Sequence, residues 1–155
     1  MGSVLHMRLD RQAICEMLPH GESMCLLDQV QGWDRQHIVC VTNTHRAPTH
    51  PLRTAGGLPM VALLEYGAQA MAVHGCLLAQ SGGARMQEGY LAALRDVRLA
   101  DGWLSDVNET LRIKAEQIFH DGGNMVYTLT IQAQGRVLTS ARLTAVGRMV
   151  QDKHS

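Results

Sequence analysis

Residues 58–80 read LPMVALLEYGAQAMAVHGCLLAQ. The run is apolar almost all the way round a helix, which marks a helix covered by protein on every side. Pro59 suits a first turn, where its missing N–H costs nothing, and Ser81-Gly82-Gly83 ends the run. A chain of 155 residues has the length of one domain. A helix this long must therefore occupy the centre, and the rest of the chain must enclose it.

The rest is rich in strand signals. Residues 37–44 (HIVCVTNT) carry β-branched side chains. Residues 24–34, 90–99, 110–119, 125–134 and 137–149 are further candidate strands. Turns are expected at 120–124 and 134–136. The last three strands alternate apolar and polar residues, as meander strands with one wet face do. Asp10 caps a short helix, RQAICEML, which stops before Pro19. The pattern predicts an α+β domain over residues 10–150, an antiparallel sheet wrapped around the helix at 58–80. Residues 1–9 are expected to form a flexible leader and 151–155 a flexible tail.

Composition excludes several classes. Net charge is zero and pI about 7.1, so the basic stripe of a nucleic-acid protein is missing. No run of 18 consecutive apolar residues predicts a membrane span. No basic segment followed by an apolar one predicts a secretory signal, so a cytoplasmic protein is expected. Cys15, Cys25, Cys40 and Cys76 form no CxxC pair and are expected as reduced, buried small hydrophobes. The eight histidines include no HExxH, and no metal site is expected.

The chemistry gathers around the start of the long helix. Residues 45–57 hold Pro48, Pro51, His45, His50 and Gly56-Gly57 and read as an irregular loop, where chemistry tends to sit. Glu65 interrupts the apolar helix. A buried carboxylate is costly unless paired or neutral, and burial would make it a proton donor near neutral pH. The other reading places it in solvent at the helix edge, and both stay open. Gln69 is one turn on, within hydrogen-bond reach. His50 is the natural general base, with His45 competing on composition. His74, nine residues past Glu65, points to the other side and reads as structural. The N–H groups of Leu58, Met60 and Val61 lack intrahelical partners, and the helix dipole there favours an oxyanion. Met60, Gln69 and Gly57 are the substrate-binding candidates. A base, an acid and an oxyanion site suit proton abstraction next to a carbonyl, followed by loss of a β-substituent.

At these residues the sequence resembles the hotdog-fold 3-hydroxyacyl-ACP dehydratases. Their opening pattern, LPH-x-x-x-M/F-x-L-x-D-x-V, is matched by Leu18-Pro19-His20 through Met24, Leu26, Asp28 and Val30. Their helix pattern is matched by GLPMVALLEYGAQ, with Glu65 and Gln69 in place, and GYLAALRDVRL (residues 89–99) resembles their next strand. The stretch from His50 to Gly75 is similar to the predicted dehydratases of aryl-polyene pigment clusters. Three departures stand out. The G-H-F-P base motif is Thr49-His50-Pro51-Leu52, with one extra residue before Glu65 that Gly56-Gly57 can absorb. The oxyanion glycine is Met60. The R-P-V-x-P-G-D stretch has become RLADGWLSD.

The resemblance implies dehydration of a (3R)-hydroxyacyl thioester on the phosphopantetheine arm of acyl carrier protein, giving a trans-2-enoyl thioester. His50 and Glu65 would act as base and acid without a metal or organic cofactor. It also implies a homodimer or larger assembly in which the two residues meet from different protomers. Arg46, Arg53, Arg95 and Arg98 are candidates to dock an acidic carrier. Two alternatives stand beside this reading. One is a hotdog thioesterase, in which Glu65 activates water. The other is a non-catalytic acyl-binding subunit of a dehydratase assembly. Fold does not separate them.

Overall fold

A computed structural model describes residues 8–18 and 22–151. Its centre is α2, Leu63–Ser81, preceded by a 3-10 turn at Met60–Ala62. A seven-stranded antiparallel sheet curls round it in the order β1-β2-β3-β5-β6-β7-β4. The strands are β1 Leu9–Asp10, β2 Gln29–Trp33, β3 His37–Thr42, β4 Ala84–Leu99, β5 Leu111–Asp121, β6 Asn124–Ala133 and β7 Arg136–Gln151. This is the expected α+β arrangement, with the regular helix starting at Leu63 rather than Leu58.

Register explains the core. Cys40 lies opposite Ile113, and Ile113 opposite Ile131, so one row of fully buried side chains crosses three strands. The next row, Val41, Arg112 and Gln132, faces outward. That alternation produces one dry and one wet face. Leu63, Tyr66, Ala70, Val73 and Leu77 of α2 fill the dry side. Gly67 lets helix and sheet approach closely: a Cβ there would run into the side chain of Leu129. By length and composition Met60–Ser81 is apolar enough to cross a membrane, but 61% of that window is buried inside the domain.

Several boundaries differ from expectation. Leu9 pairs with Val30, so it belongs to the sheet and not to a leader. Gln151 pairs with Ala84. Residues 1–7, 19–21 and 152–155 lie outside the described residues, and with them Pro19 and His20 of the opening pattern. Asp10 caps α1, Arg11–Met17, by accepting from the Ala13 N–H at 3.0 Å. Residues 24–28 are not strand: a 3-10 turn at Glu22–Met24 leads into an extended segment that reaches the sheet only at β2. Apart from the Asp28 N–H, which donates to the Val41 carbonyl of β3 at 3.3 Å, and the Cys25 N–H, which closes the 3-10 turn, its backbone is held by side chains. Arg11 donates to the carbonyls of Cys25 (2.7 Å) and Leu27 (3.3 Å). α1 therefore folds back over this segment, and Cys15 and Cys25, with Cα atoms 5.6 Å apart, are joined as a disulfide. This corrects the expectation of four reduced cysteines, since the CxxC test sees only local spacing. Cys40 and Cys76 remain free, and burial pushes the Cys40 thiol up to about 12.

The long strand β4 pairs with β7 alone. It is broken by irregularities near Met86, Leu91 and Arg95, and Asp96 takes a left-handed φ of 53°. Leu91, Leu94, Val97 and Leu99 on it are exposed. Such an edge offers unpaired backbone groups to another strand.

Candidate active site

The loop between β3 and α2 is built from local hydrogen bonds rather than sheet pairing. Thr44–Arg46 form a 3-10 turn, the His50 N–H donates to the Ala47 carbonyl (3.2 Å), and the Arg53 N–H to the His50 carbonyl (3.1 Å). Thr54 and Gly57 then exchange both backbone hydrogen bonds, at 2.8 and 3.1 Å. Gly57 has φ of 125°, a region open to glycine, and a Cβ there would meet Ser105 Oγ at 2.7 Å. The ring of Trp103 covers Gly56. The stretch near residue 103 thus packs on the Gly56-Gly57 pair.

At the head of the helix, the Leu58 N–H donates to Ser105 Oγ (3.0 Å), and those of Ala62 and Leu63 bond back into the turn. None of these bonds uses the N–H of Val61, whereas the antiparallel bridge between Pro59, which has no N–H, and Trp103 turns the Met60 N–H toward the Gly102 carbonyl. Of the three expected oxyanion donors, Leu58 is therefore already engaged, and the Gly57 N–H goes to the Thr54 carbonyl. Met60 itself is buried, while Val61 is exposed.

His50 is buried, at 6% exposure. Its Nδ1 accepts from the Leu52 N–H at 3.0 Å. The neutral ring therefore carries its proton on Nε2, which donates to Tyr66 Oη at 2.9 Å. Tyr66 donates to Thr44 Oγ1 (2.8 Å), and Thr44 donates to the Leu26 carbonyl (2.6 Å). Burial foremost, then the positive charge of Arg53 and the neighbouring His45, holds the His50 pKa below its ordinary value. His45, the competitor, is fully buried and donates through Nε2 to the Val107 carbonyl at 3.0 Å, which marks it as a structural group.

Glu65 is half-buried, so it is neither the enclosed carboxyl of one reading nor the free surface group of the other. Gln69 Nε2 approaches Glu65 Oε1 at 3.5 Å, but its stronger bonds go elsewhere. It donates to the Met24 carbonyl (2.7 Å) and accepts from the Leu26 N–H (2.8 Å). Leu26 is thus gripped from both sides, its N–H by Gln69 and its carbonyl by Thr44. One path of hydrogen bonds runs Glu65, Gln69, Leu26, Thr44, Tyr66, His50. Glu65 and Tyr66 are consecutive on the helix and project about 100° apart. His50 therefore sits on the Tyr66 face, and no hydrogen bond joins it to Glu65 of the same chain.

The motif residue Asp28 is a bracket: its carboxylate accepts from the Asn43 N–H (2.7 Å) and Thr42 Oγ1 (3.1 Å) and faces Arg11 at 3.4 Å. His74 is structural as expected, bonded to Tyr127 Oη and the Asp34 carbonyl. Among the described residues no three His, Cys, Asp or Glu are arranged to hold a metal ion. Tyr66 was missed in the sequence. Its signal was there: a tyrosine beside Glu65 in an apolar helix must find a partner for its hydroxyl.

The ApeP-like family, described as ApeP dehydratase, matches residues 12–153. The chain belongs to the ApeP-like dehydratase family. Of the solved structures, the dehydratase heterocomplex ApeI:P from Xenorhabdus doucetiae is similar at 25% identity, with TM-score 0.76, over 90% of this chain and 91% of that one. A mutant thioesterase from Pseudomonas aeruginosa matches at 13% identity and TM-score 0.61, over 96% of this chain and 100% of that one. A thioesterase from Haemophilus influenzae matches at 14% and 0.56, over 95% and 96%. These likenesses establish the hotdog fold for this ApeP-like protein. No curated protein matches the sequence.

Proposed function

We propose that this ApeP-like protein dehydrates a (3R)-hydroxyacyl thioester held on the phosphopantetheine arm of acyl carrier protein, within fatty acid or polyene-type synthesis. The observation that carries the reading is the hydrogen-bond path that ties a base candidate, His50, and an acid candidate, Glu65, to one backbone residue, Leu26, in a member of a dehydratase family, so that each chain would present its base to one site and its acid to the site of a partner.

The unprotonated nitrogen of His50 is Nδ1. It takes the α-proton once the Leu52 N–H gives way to substrate, and the resulting imidazolium stays bonded through Nε2 to Tyr66. The C–H electron pair forms the Cα=Cβ bond as the β C–O bond breaks. The leaving hydroxyl takes a proton from the Glu65 carboxyl and departs as water, and His50 and Glu65 then exchange their surplus proton and deficit through solvent. The N–H of Val61, and that of Met60 once it leaves the Gly102 carbonyl, hold the thioester oxygen, with Gly57 and Gln69 shaping the site. The step as written uses no metal or organic cofactor.

A homodimer formed along the free edge of β4 would cover Leu91, Leu94, Val97 and Leu99. It would supply the second protomer's acid to each base, and the burial that Glu65 lacks in one chain. The exposed Arg46, Arg95 and Arg98 and the half-buried Arg53 would face an acidic carrier in the cytoplasm.

A second reading has an observation in its favour. Both ring nitrogens of His50 are occupied, and a similar chain comes from a heterocomplex. On that reading the protein is the acyl-binding member of a mixed assembly. Mass spectrometry of 3-hydroxyacyl carrier protein incubated with the purified chain separates the possibilities. Loss of one water is the expected result. Release of free acid means a thioesterase, and no change across several chain lengths means the mixed assembly.

A further inference from the structure

Tyr66 is fully buried, yet its hydroxyl is bonded on both sides, to His50 Nε2 at 2.9 Å and to Thr44 Oγ1 at 2.8 Å. The direction of this chain is fixed by its two ends. A backbone N–H can only donate, so Leu52 leaves His50 Nδ1 as an acceptor and puts the ring proton on Nε2. At the far end the Leu26 carbonyl can only accept, so Thr44 donates to it and must accept from Tyr66. Tyr66 is left with one role toward His50: it accepts. This is the relation of an orienting group to a general base, in which one ring nitrogen is held so that the other works.

We infer that Tyr66 is the positioning residue of His50, fixing the ring's orientation and receiving the Nε2 proton in both the neutral and the charged ring. The inference rests on the reading of His50 as the base and extends it. The other groups acting on His50 all oppose a charged ring. Arg53 lies in the same loop, His45 comes from the turn at Thr44–Arg46, and burial removes water. Asp28 acts on Tyr66 and His45, not on His50. The phenolic oxygen is thus the acceptor that meets the imidazolium, and burial raises the Tyr66 pKa, keeping that hydroxyl protonated as the chain requires. An imidazolium gains more from this bond than a neutral ring does.

The test is nitrogen NMR of the histidine side chains in the full-length protein, which reads tautomer and titration without any substrate. In the unmodified chain His50 should carry its proton on Nε2. In Tyr66→Phe the His50 titration should move about one pH unit lower. Thr44→Val should shift it the same way by less, and Thr44→Ser should restore it. If Tyr66→Phe does not fold, the Thr44 pair decides. With a 3-hydroxyacyl thioester, Tyr66→Phe should lower kcat about tenfold, leave KM within about twofold, and move the acid limb of the pH profile with the NMR midpoint. A proton on Nδ1, or a His50 titration unmoved by Tyr66→Phe and Thr44→Val, overturns the inference. An unmodified chain that turns nothing over, while the NMR shifts appear, overturns the dehydratase reading and leaves Tyr66's hold on His50 standing.

Discussion

Two buried histidine–tyrosine pairs lie along α2 and its loop, and they run in opposite directions. His74 gives its Nε2 proton to the Asp34 carbonyl (2.7 Å), so its Nδ1 accepts from Tyr127 (2.6 Å), and Tyr127 accepts in turn from Gln117 (3.1 Å). His50 gives its Nε2 proton to Tyr66 and keeps Nδ1 toward a loop amide two residues away. The first pair is anchored in helix and sheet, and charging its ring would set two donors against a tyrosine already serving as donor. The second pair can accept a proton at Nδ1 by giving up one local bond. The same two side chains therefore make a structural pin in one place and a usable base in the other. What separates them is which partner holds the proton and whether the lone pair faces regular structure or a loop.

The largest effect expected from this contrast is on turnover. His50→Ala or Glu65→Gln should lower dehydration at least about a hundredfold, the scale of a lost general base or acid. Tyr127→Phe should leave turnover within about twofold in the same mass-spectrometric assay. Near-normal turnover in His50→Ala or Glu65→Gln removes that residue from the mechanism, and in His50→Ala it makes the His50–Tyr66 pair as structural as the other. Leu94→Asp tests the proposed homodimer along β4. A carboxylate on the exposed edge of β4 would face its own copy, and such like-charge contacts cost several kcal/mol. Sedimentation velocity should show the dimer weakened at least about a hundredfold, with activity falling alongside; an unchanged dimer would move the interface elsewhere. Tyr127→Phe comes next, through stability. It leaves His74 Nδ1 and the Gln117 amide without their partner, at a cost of about 1–3 kcal/mol in urea unfolding.

How far the sequence carried these distinctions depends on the range of the signal. The central helix, the meander strands and the Glu65 and His50 candidates rest on local periodicity and composition, and the structure has the helix and strands close to where those put them. His74 was placed by helical geometry alone. The features that escaped are contacts between distant segments. Cys15 meets Cys25 only because α1 folds back on the chain. Residues 24–27 look like strand because they are apolar, yet Gln69, Arg11 and Thr44 hold their backbone, and a bond to a neighbouring strand comes only at Asp28, whose N–H donates to the Val41 carbonyl. Tyr66 was hidden by the helix that carries it, since an apolar stripe absorbs an aromatic ring without revealing its hydroxyl. Glu65 stays open between two readings in the sequence because its half-burial depends on segments far from the helix, such as the one at Met24 and Leu26 that Gln69 holds beside it.

The smallest effect sharpens the contrast through pH. Burial, the leading cause in each case, lowers His45, His50 and His74 from an ordinary value of 6.5. As pH falls below about 6.5 the unfolded chain takes up these protons before the folded one does, so it binds more protons and stability falls with pH. The contribution is fully present above 6.5 and is lost as pH descends toward the folded values. The two pairs should not share this loss equally. A charged His50 keeps Tyr66 as acceptor and gives up only the Leu52 contact, whereas a charged His74 conflicts with Tyr127 and, behind it, Gln117. His74→Gln should therefore be less stable at pH 8 but show a shallower decline between pH 6.5 and 5, while His50→Gln should flatten the decline less. Urea midpoints across that range measure both slopes. Equal flattening by the two substitutions would mean that the direction of the tyrosine bond does not set the cost of charging the ring.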